Sequence, residues 1–305
     1  MTIPTRVLGR TGAEVTILGY GAMELRGRPR GPELEEAEAG QLLNELLDSG
    51  VNLIDTSIDY GRSEELIGRY LSGRRDEYFL ASKCGCSLSL PSDAVPPFPH
   101  DFSAANVRAG VEQSLRRLQT EHLDLVQVHM SPSRTELEAG GTVEEMERLR
   151  DEGKIRFLGM SGTLPNLPGQ IEMSVFDVFQ IPYSALQPEH DEMLSRAAAA
   201  GAGVLVRGGV ARGSAGDKNW TVEPLGRTGP AAQDRWQEAG LDELLSGGMT
   251  RHEFVLRFTL SHPALSSTIV GTSSLEHLRD NVTLASRGPL PADLYAEAKR
   301  RLVGA

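Results

Sequence analysis

The stretch "VNLIDTSIDYG", residues 51–61, decides how this chain is read. Val51, Leu53 and Ile54 suit a buried strand, but the run ends in Asp55 and soon reaches Tyr60. An apolar core requires neither a carboxylate at a strand end nor a phenol just beyond it. The stretch therefore reads as a strand feeding a site loop, the arrangement that barrel enzymes use at the C-terminal ends of their strands.

Working outward, the next segment is helical. "SEELIGRYL" offers Ser63 as N-cap, two glutamates in its first turn, and Leu66, Ile67, Tyr70 and Leu71 on one face. The same design recurs in "SAANVRAGVEQSLRRL", with Ser103 as cap and Val107, Val111, Leu115 and Leu118 as its stripe. In "TVEEMERLRDEGK", Thr142 and Glu145 stand at capping-box spacing and Gly153 marks the stop. Strand-like runs fall near 16–20, 51–55, 78–82, 123–128, 155–160, 175–180, 203–207 and 267–270. Helices between successive strands imply a parallel sheet, and eight strands close a (β/α)8 TIM barrel. "RVLGRTGAEVTIL" reads as an N-terminal β-hairpin turning at Thr11 and Gly12, placed to plug the barrel bottom. Residues 1–305 are expected to form a single barrel domain.

Composition narrows the function classes. At 39% hydrophobic and 24% charged residues, the chain has a globular balance, and its net charge of -11 opposes nucleic acid and anionic membrane surfaces as main partners. No apolar run approaches a membrane span and "MTIPTRVLGR" lacks the apolar middle of a signal peptide, so the expected location is cytoplasmic. Cys84 and Cys86 are too few for a disulfide framework or a four-ligand zinc site. They read as reduced packing residues, with a redox role left open by the neighbouring Lys83.

Four residues converge by topology. Asp55, Lys83 in "YFLASK" and His129 in "LDLVQVH" each close a parallel strand, and Tyr60 lies on the loop after the first of these. A tyrosine, with an ordinary pKa of about 10, is a poor acid at neutral pH. A nearby ammonium favours the phenolate and lowers that value, while a carboxylate holds the ammonium in place. An imidazole opposite can orient a carbonyl oxygen and stabilise charge developing on it. The grouping suits carbonyl reduction, with hydride arriving at carbon and a proton at oxygen.

The segments "NLIDTSIDYGRSEELIG", "ASKCG", "SLRRLQTEHLDLVQVH" and "IVGTSSLEHLRDN" resemble the aldo-keto reductases, in order and over nearly the whole chain. The resemblance implies a catalytic tetrad of Asp55, Tyr60, Lys83 and His129. It also implies NADP(H) as cofactor, with NAD(H) left open because the lysine and arginine that often grip the 2'-phosphate are lacking. "VGTSSLEHLRDN" supplies a phosphate site: Gly271 for close backbone approach, Thr272 and Ser273 as hydroxyl donors, and a helix N-terminus behind them. Ser273 with Glu276 equally fits an ordinary capping box. By the resemblance His277 and Asn281 contact the adenosine end, and Arg279 adds charge.

At the nicotinamide end, Gln180 and Ser161 match the family's carboxamide contacts. Two positions depart from the pattern: Gly162 stands where asparagine is common, and Arg207 where relatives place a stacking aromatic. A guanidinium also stacks but carries charge. Arg207 is therefore expected either to disfavour the cationic oxidised ring or to bridge to a phosphate or loop carbonyl.

Met23, Phe98 and Trp220 are candidate pocket walls, and "RGRPR" (26–30) places basic charge on the site face. The expected partner is a small-molecule carbonyl substrate, an aldehyde or ketone, with oligomeric state open. A second reading is an NADP(H)-binding regulatory subunit with slow or no turnover. A third, a phosphosugar isomerase using the same phosphate site, leaves Tyr60 and Lys83 without a role.

Overall fold

The computed structural model describes residues 2–28, 34–88, 99–210 and 230–303. Phe98, Trp220 and the end of the basic run, Pro29 and Arg30, lie outside the described residues; Met23 is half-buried after the first barrel strand.

Strands β1 (Thr5–Val7) and β2 (Glu14–Thr16) form an antiparallel hairpin. The next eight are β3 (Leu18–Gly21), β4 (Leu53–Asp55), β5 (Phe79–Cys84), β6 (Leu123–Val128), β7 (Ile155–Ser161), β8 (Val178–Pro182), β9 (Gly203–Arg207) and β10 (Ser267–Val270). They close a parallel (β/α)8 barrel in chain order, with β10 returning to pair with β3. The first barrel strand begins at Leu18 and not at residue 16, because Thr16 ends the hairpin ladder.

Two apolar layers follow from the two faces of each strand. The inner one holds Leu53, Phe79, Ala81, Leu125, Val178, Leu205 and Ile269, joined from the hairpin by Leu8 and Val15. The hairpin thus closes the barrel bottom with apolar side chains. Gly9 makes this approach possible: its φ is +51°, and a Cβ there would come within 2.1 Å of Gly203 N. The outer layer lies between the strands and the surrounding helices, and includes the predicted helix faces Leu66, Ile67, Leu71, Val107, Val111 and Leu118.

Helix starts show where local patterns mislead. Ser103 caps its helix as expected, accepting from Asn106 N. Ser63 does not cap: it is the first residue of Ser63–Leu71, and its hydroxyl is spent on Thr56 Oγ1 at 2.9 Å. Thr142 and Glu145 make no capping box either. Thr142 donates to Phe102 O, and Glu145 is drawn away by Arg108 and Arg148. Tertiary partners outcompete the caps in both cases.

Leu8 is fully buried where the hairpin meets the barrel floor. Leu8→Ala should lower stability by about 2–5 kcal/mol, the usual range for such a truncation, read as a fall in the urea midpoint; an unchanged midpoint would show that the hairpin is not part of the core.

Candidate active site

Strand parity assembles the site. Side chains alternate between the two faces of a strand, so counting in twos from the inner residues brings Asp55, Lys83, Gln127, His129, Gln180, Arg207 and Gly271 inward at the C-terminal mouth. Ser161 follows from Phe157 by the same count. The opposite parity sends Ile54, Leu80 and Cys84 to the outer layer.

Asp55 lies at the centre, and is buried. Its Oδ2 accepts from Lys83 Nζ at 2.7 Å, while its Oδ1 accepts from Gln127 Nε2 at 2.7 Å and Gln180 Nε2 at 2.9 Å. Lys83 Nζ donates also to Thr56 O at 2.7 Å. Burial alone would pull the Lys83 ammonium down, but Asp55 and the Tyr60 phenol outweigh it and raise its pKa. Lys83 is therefore a cation at neutral pH.

Lys83 Nζ stands 4.8 Å from the centre of the Tyr60 ring, and that ring meets His129 edge-on at 6.4 Å between centroids. Burial pushes the Tyr60 phenol up, Lys83 pulls it down, and Asp55 and Asp59 push it up again, leaving it above its ordinary value. This corrects the expectation that Lys83 would lower the phenol's pKa outright: desolvation is the larger effect. The phenol keeps its proton at neutral pH and so has one to give. Lys83 would act most strongly on the phenolate that such a loss leaves.

His129 is held well below the ordinary histidine range by burial, with Lys83, His100 and Arg207 acting in the same direction and Asp59 against them. It is thus a neutral imidazole. Its Nδ1 shares a 3.1 Å hydrogen bond with Cys86 Sγ, and Asp59 Oδ1 lies 4.0 Å from the same nitrogen. Burial pushes the Cys86 thiol well above its usual value, so it stays S–H. A thiol donating to Nδ1 leaves the ring proton on Nε2, the nitrogen then able to donate to a carbonyl oxygen.

Ser161 and Gln180 are adjacent across β7 and β8, with Ser161 Oγ 3.5 Å from Gln180 Oε1. With its amide nitrogen on Asp55, Gln180 has its oxygen to offer to a carboxamide N–H. A Cβ at Gly162 would lie 2.7 Å from Gln170 Oε1 and from Leu167 Cδ1, so the ends of those two side chains would have to shift to admit one. Buried Gln170 instead ties down the loop after β6, donating to Ser131 Oγ at 3.1 Å and Pro132 O at 2.7 Å. Arg207 ends β9, and its charge reaches both His129 and His190.

Past β10, exposed Gly271 approaches Gly21 so closely that a Cβ would lie 2.8 Å from Gly21 O. Thr272 Oγ1 accepts from Ser274 N at 3.0 Å, and Ser274, not Ser273, caps the helix Leu275–Ser286 by accepting from His277 N. His277 is exposed and Arg279 is paired with Glu45, while Asn281 is buried against His252 at 2.8 Å. A helix N-terminus beside a side-chain-free Gly271 fits a phosphate group. Arg279 can reach one only by leaving Glu45, and Asn281 an adenine only by leaving His252.

Gln127, Asp59 and His100 escaped the sequence reading, and Cys86 was read there as a packing residue with a redox role left open. Gln127 shares the parity of His129 in "LVQVH" and was discoverable by that count. No local signal places Cys86 or His100 beside His129. Both cysteines are free and buried, with the Cys84 thiol pushed up to about 12 by burial, unlike a redox-active thiolate.

The Aldo/keto reductase family model matches residues 17–301, and the chain belongs to that family of oxidoreductases, which generally bind nicotinamide cofactors. It is 28% identical over 294 residues to the uncharacterized oxidoreductase YqkF of Bacillus subtilis, covering 92% of this chain and 90% of that protein. Against the L-galactose dehydrogenase of Arabidopsis thaliana it is 29% identical over 309 residues, covering 92% and 87% respectively. The holo form of aldo-keto reductase AKR11C1 from Bacillus halodurans superposes with a TM-score of 0.84 at 29% identity, covering 98% of this chain and 96% of that one. No helix among the described residues is long and apolar enough to cross a membrane.

Removing one partner of a buried ion pair costs about 3–5 kcal/mol. Asp55→Asn should show such a loss in urea, and adding Lys83→Met should recover part of it; a neutral Asp55→Asn would mean that the pair is not needed for folding. Because the pKa of Lys83 is raised on folding, its contribution is complete below about pH 10 and is lost as the pH climbs through the folded value.

Proposed function

We propose that this protein is an NADP(H)-dependent carbonyl reductase that converts an aldehyde or ketone to an alcohol, with NAD(H) as the lesser alternative. The observation that carries the reading is the buried Asp55–Lys83 pair, 2.7 Å apart, placed 4.8 Å from the Tyr60 ring. NADPH, when bound, supplies the hydride. The chain supplies the rest.

Tyr60 donates its phenolic proton to the oxygen of the reacting carbonyl, and the phenolate that remains lies in the field of Lys83. Asp55 keeps that ammonium from drifting toward solvent, while the two glutamines fix Asp55 itself. His129 donates from Nε2 to the carbonyl oxygen and so fixes its approach to Tyr60. The loaded site is read as Ser161 and Gln180 on the carboxamide, Gly271, Thr272 and Ser273 on phosphate, and His277 and Asn281 toward the adenosine.

Two experiments test this reading. Tyr60→Phe should retain NADPH binding by fluorescence and lose turnover by about 10²–10⁴-fold, the span of a general acid's contribution; full activity would overturn the assignment. Arg207 is proposed to repel the cationic oxidised nicotinamide. Arg207→Tyr should then shift the ratio of NADP+ to NADPH dissociation constants several-fold in favour of NADP+, and an unchanged ratio would assign Arg207 to a phosphate or loop contact.

A further inference from the structure

Beside the tetrad, three side chains that suit a borderline-soft metal face one another. Cys86, His100 and His129 each offer a ligand atom, and all three atoms lie within 4.8 Å of one another. It is the one such group among the described residues. The catalytic reading uses only His129 fully, and gives His100 no task.

The scaffold holds these ligands close together. Cys86 and His100 face each other across an antiparallel β-bridge, flanked by Ser87 N to Pro99 O at 3.2 Å and Asp101 N to Gly85 O at 2.9 Å. Asn106 Nδ2 clamps the two strands, donating to Cys86 O at 3.1 Å and Asp101 O at 2.7 Å. The His100 ring stacks on Phe102 and meets the His129 ring edge-on at 5.8 Å between centroids. Cys86 Sγ already lies 3.1 Å from His129 Nδ1. A tetrahedral zinc ion, with Zn–S of about 2.3 Å and Zn–N of about 2.0–2.1 Å, sets its ligand atoms about 3.3–3.6 Å apart. One pair is thus slightly inside the required spacing, and the widest separation needs to close by roughly an ångström, within the reach of side-chain rotation on a fixed backbone.

We infer that Cys86, His100 and His129 form a binding site for a Zn²⁺-like divalent cation, with a fourth position open to water or another small ligand. The cation takes the place of the proton shared between Cys86 Sγ and His129 Nδ1: the S–H bond breaks, an S–Zn bond forms, and the proton leaves to solvent. No electrons move. Thiolate with two imidazoles selects zinc over the hard cations magnesium and calcium, which prefer oxygen. Asp59, 4.0 Å from His129 Nδ1, adds negative charge to the pocket. If the reductase reading holds, the bound cation inhibits by fixing the imidazole and placing positive charge at the carbonyl pocket; metal uptake itself does not depend on that reading.

The test uses the purified, reduced full-length chain and Co²⁺ as a spectroscopic probe for Zn²⁺. One equivalent of Co²⁺ should produce a near-ultraviolet thiolate-to-cobalt band with the strong visible bands of four-coordination, and Zn²⁺ should displace both. Cys86→Ser should abolish the thiolate band while Cys84→Ser keeps it. His100→Ala, independent of the thiol, should weaken Zn²⁺ binding by roughly 10- to 100-fold or more, since even an outer-shell loss costs that much. Circular dichroism checks that each variant is folded. The site is overturned if wild type gives no thiolate band, if the band survives Cys86→Ser, or if folded His100→Ala binds Zn²⁺ as tightly as wild type.

Discussion

The arrangement depends on one interaction, the buried ion pair between Asp55 and Lys83. Neither charge would be tolerated alone at the top of an apolar barrel. Together they are satisfied almost completely: the carboxylate accepts from a lysine and two glutamine amides, and the ammonium finds a second acceptor in Thr56 O. These contacts come from four strands or their ends, β4, β5, β6 and β8, so the barrel must close before the pair can form. The same closure brings the Tyr60 ring edge-on to His129.

The pair also sets the protonation states around it. A fixed cation next to a half-buried phenol does not make that phenol acidic at rest, because desolvation is the larger effect. It makes the charge left by proton donation tolerable. His129 is kept neutral by burial and by the neighbouring positive charges, and its tautomer is set by a cysteine thiol that burial keeps protonated. A protonated phenol, a neutral imidazole and an ammonium charged at neutral pH suit the proposed donation of a proton to an oxygen. Glycine at residue 162 lets the Gln170 side chain approach closely, since a Cβ there would lie 2.7 Å from its Oε1.

Much of this was legible in the sequence because it rests on period-two alternation and chain order. "VNLID", "FLASK" and "LVQVH" each run from apolar inner residues to a polar one at the strand end, and eight such strands close into a barrel whose topology places the ends together. The hairpin plug was legible from its turn at Thr11 and Gly12. Helix caps were less so, since Ser63 and Thr142 give their hydroxyls to distant partners that no local pattern specifies. Cys86 and His100 were illegible as site residues for a related reason. Their meeting depends on an isolated bridge between two loop segments fourteen residues apart, and on a close approach to His129, far off in sequence, that only the folded chain reveals.

The most direct measurement is the absorbance of reduced nicotinamide when the purified protein is mixed with NADPH and a panel of aldehydes and ketones, run in parallel with NADH. Oxidation that requires both the protein and a carbonyl compound, faster with NADPH than with NADH, is the expected result. Tight NADPH binding without turnover across a broad panel would contradict it, and would leave the Asp55–Lys83 pair as the anchor of a cofactor-binding protein that performs no reduction.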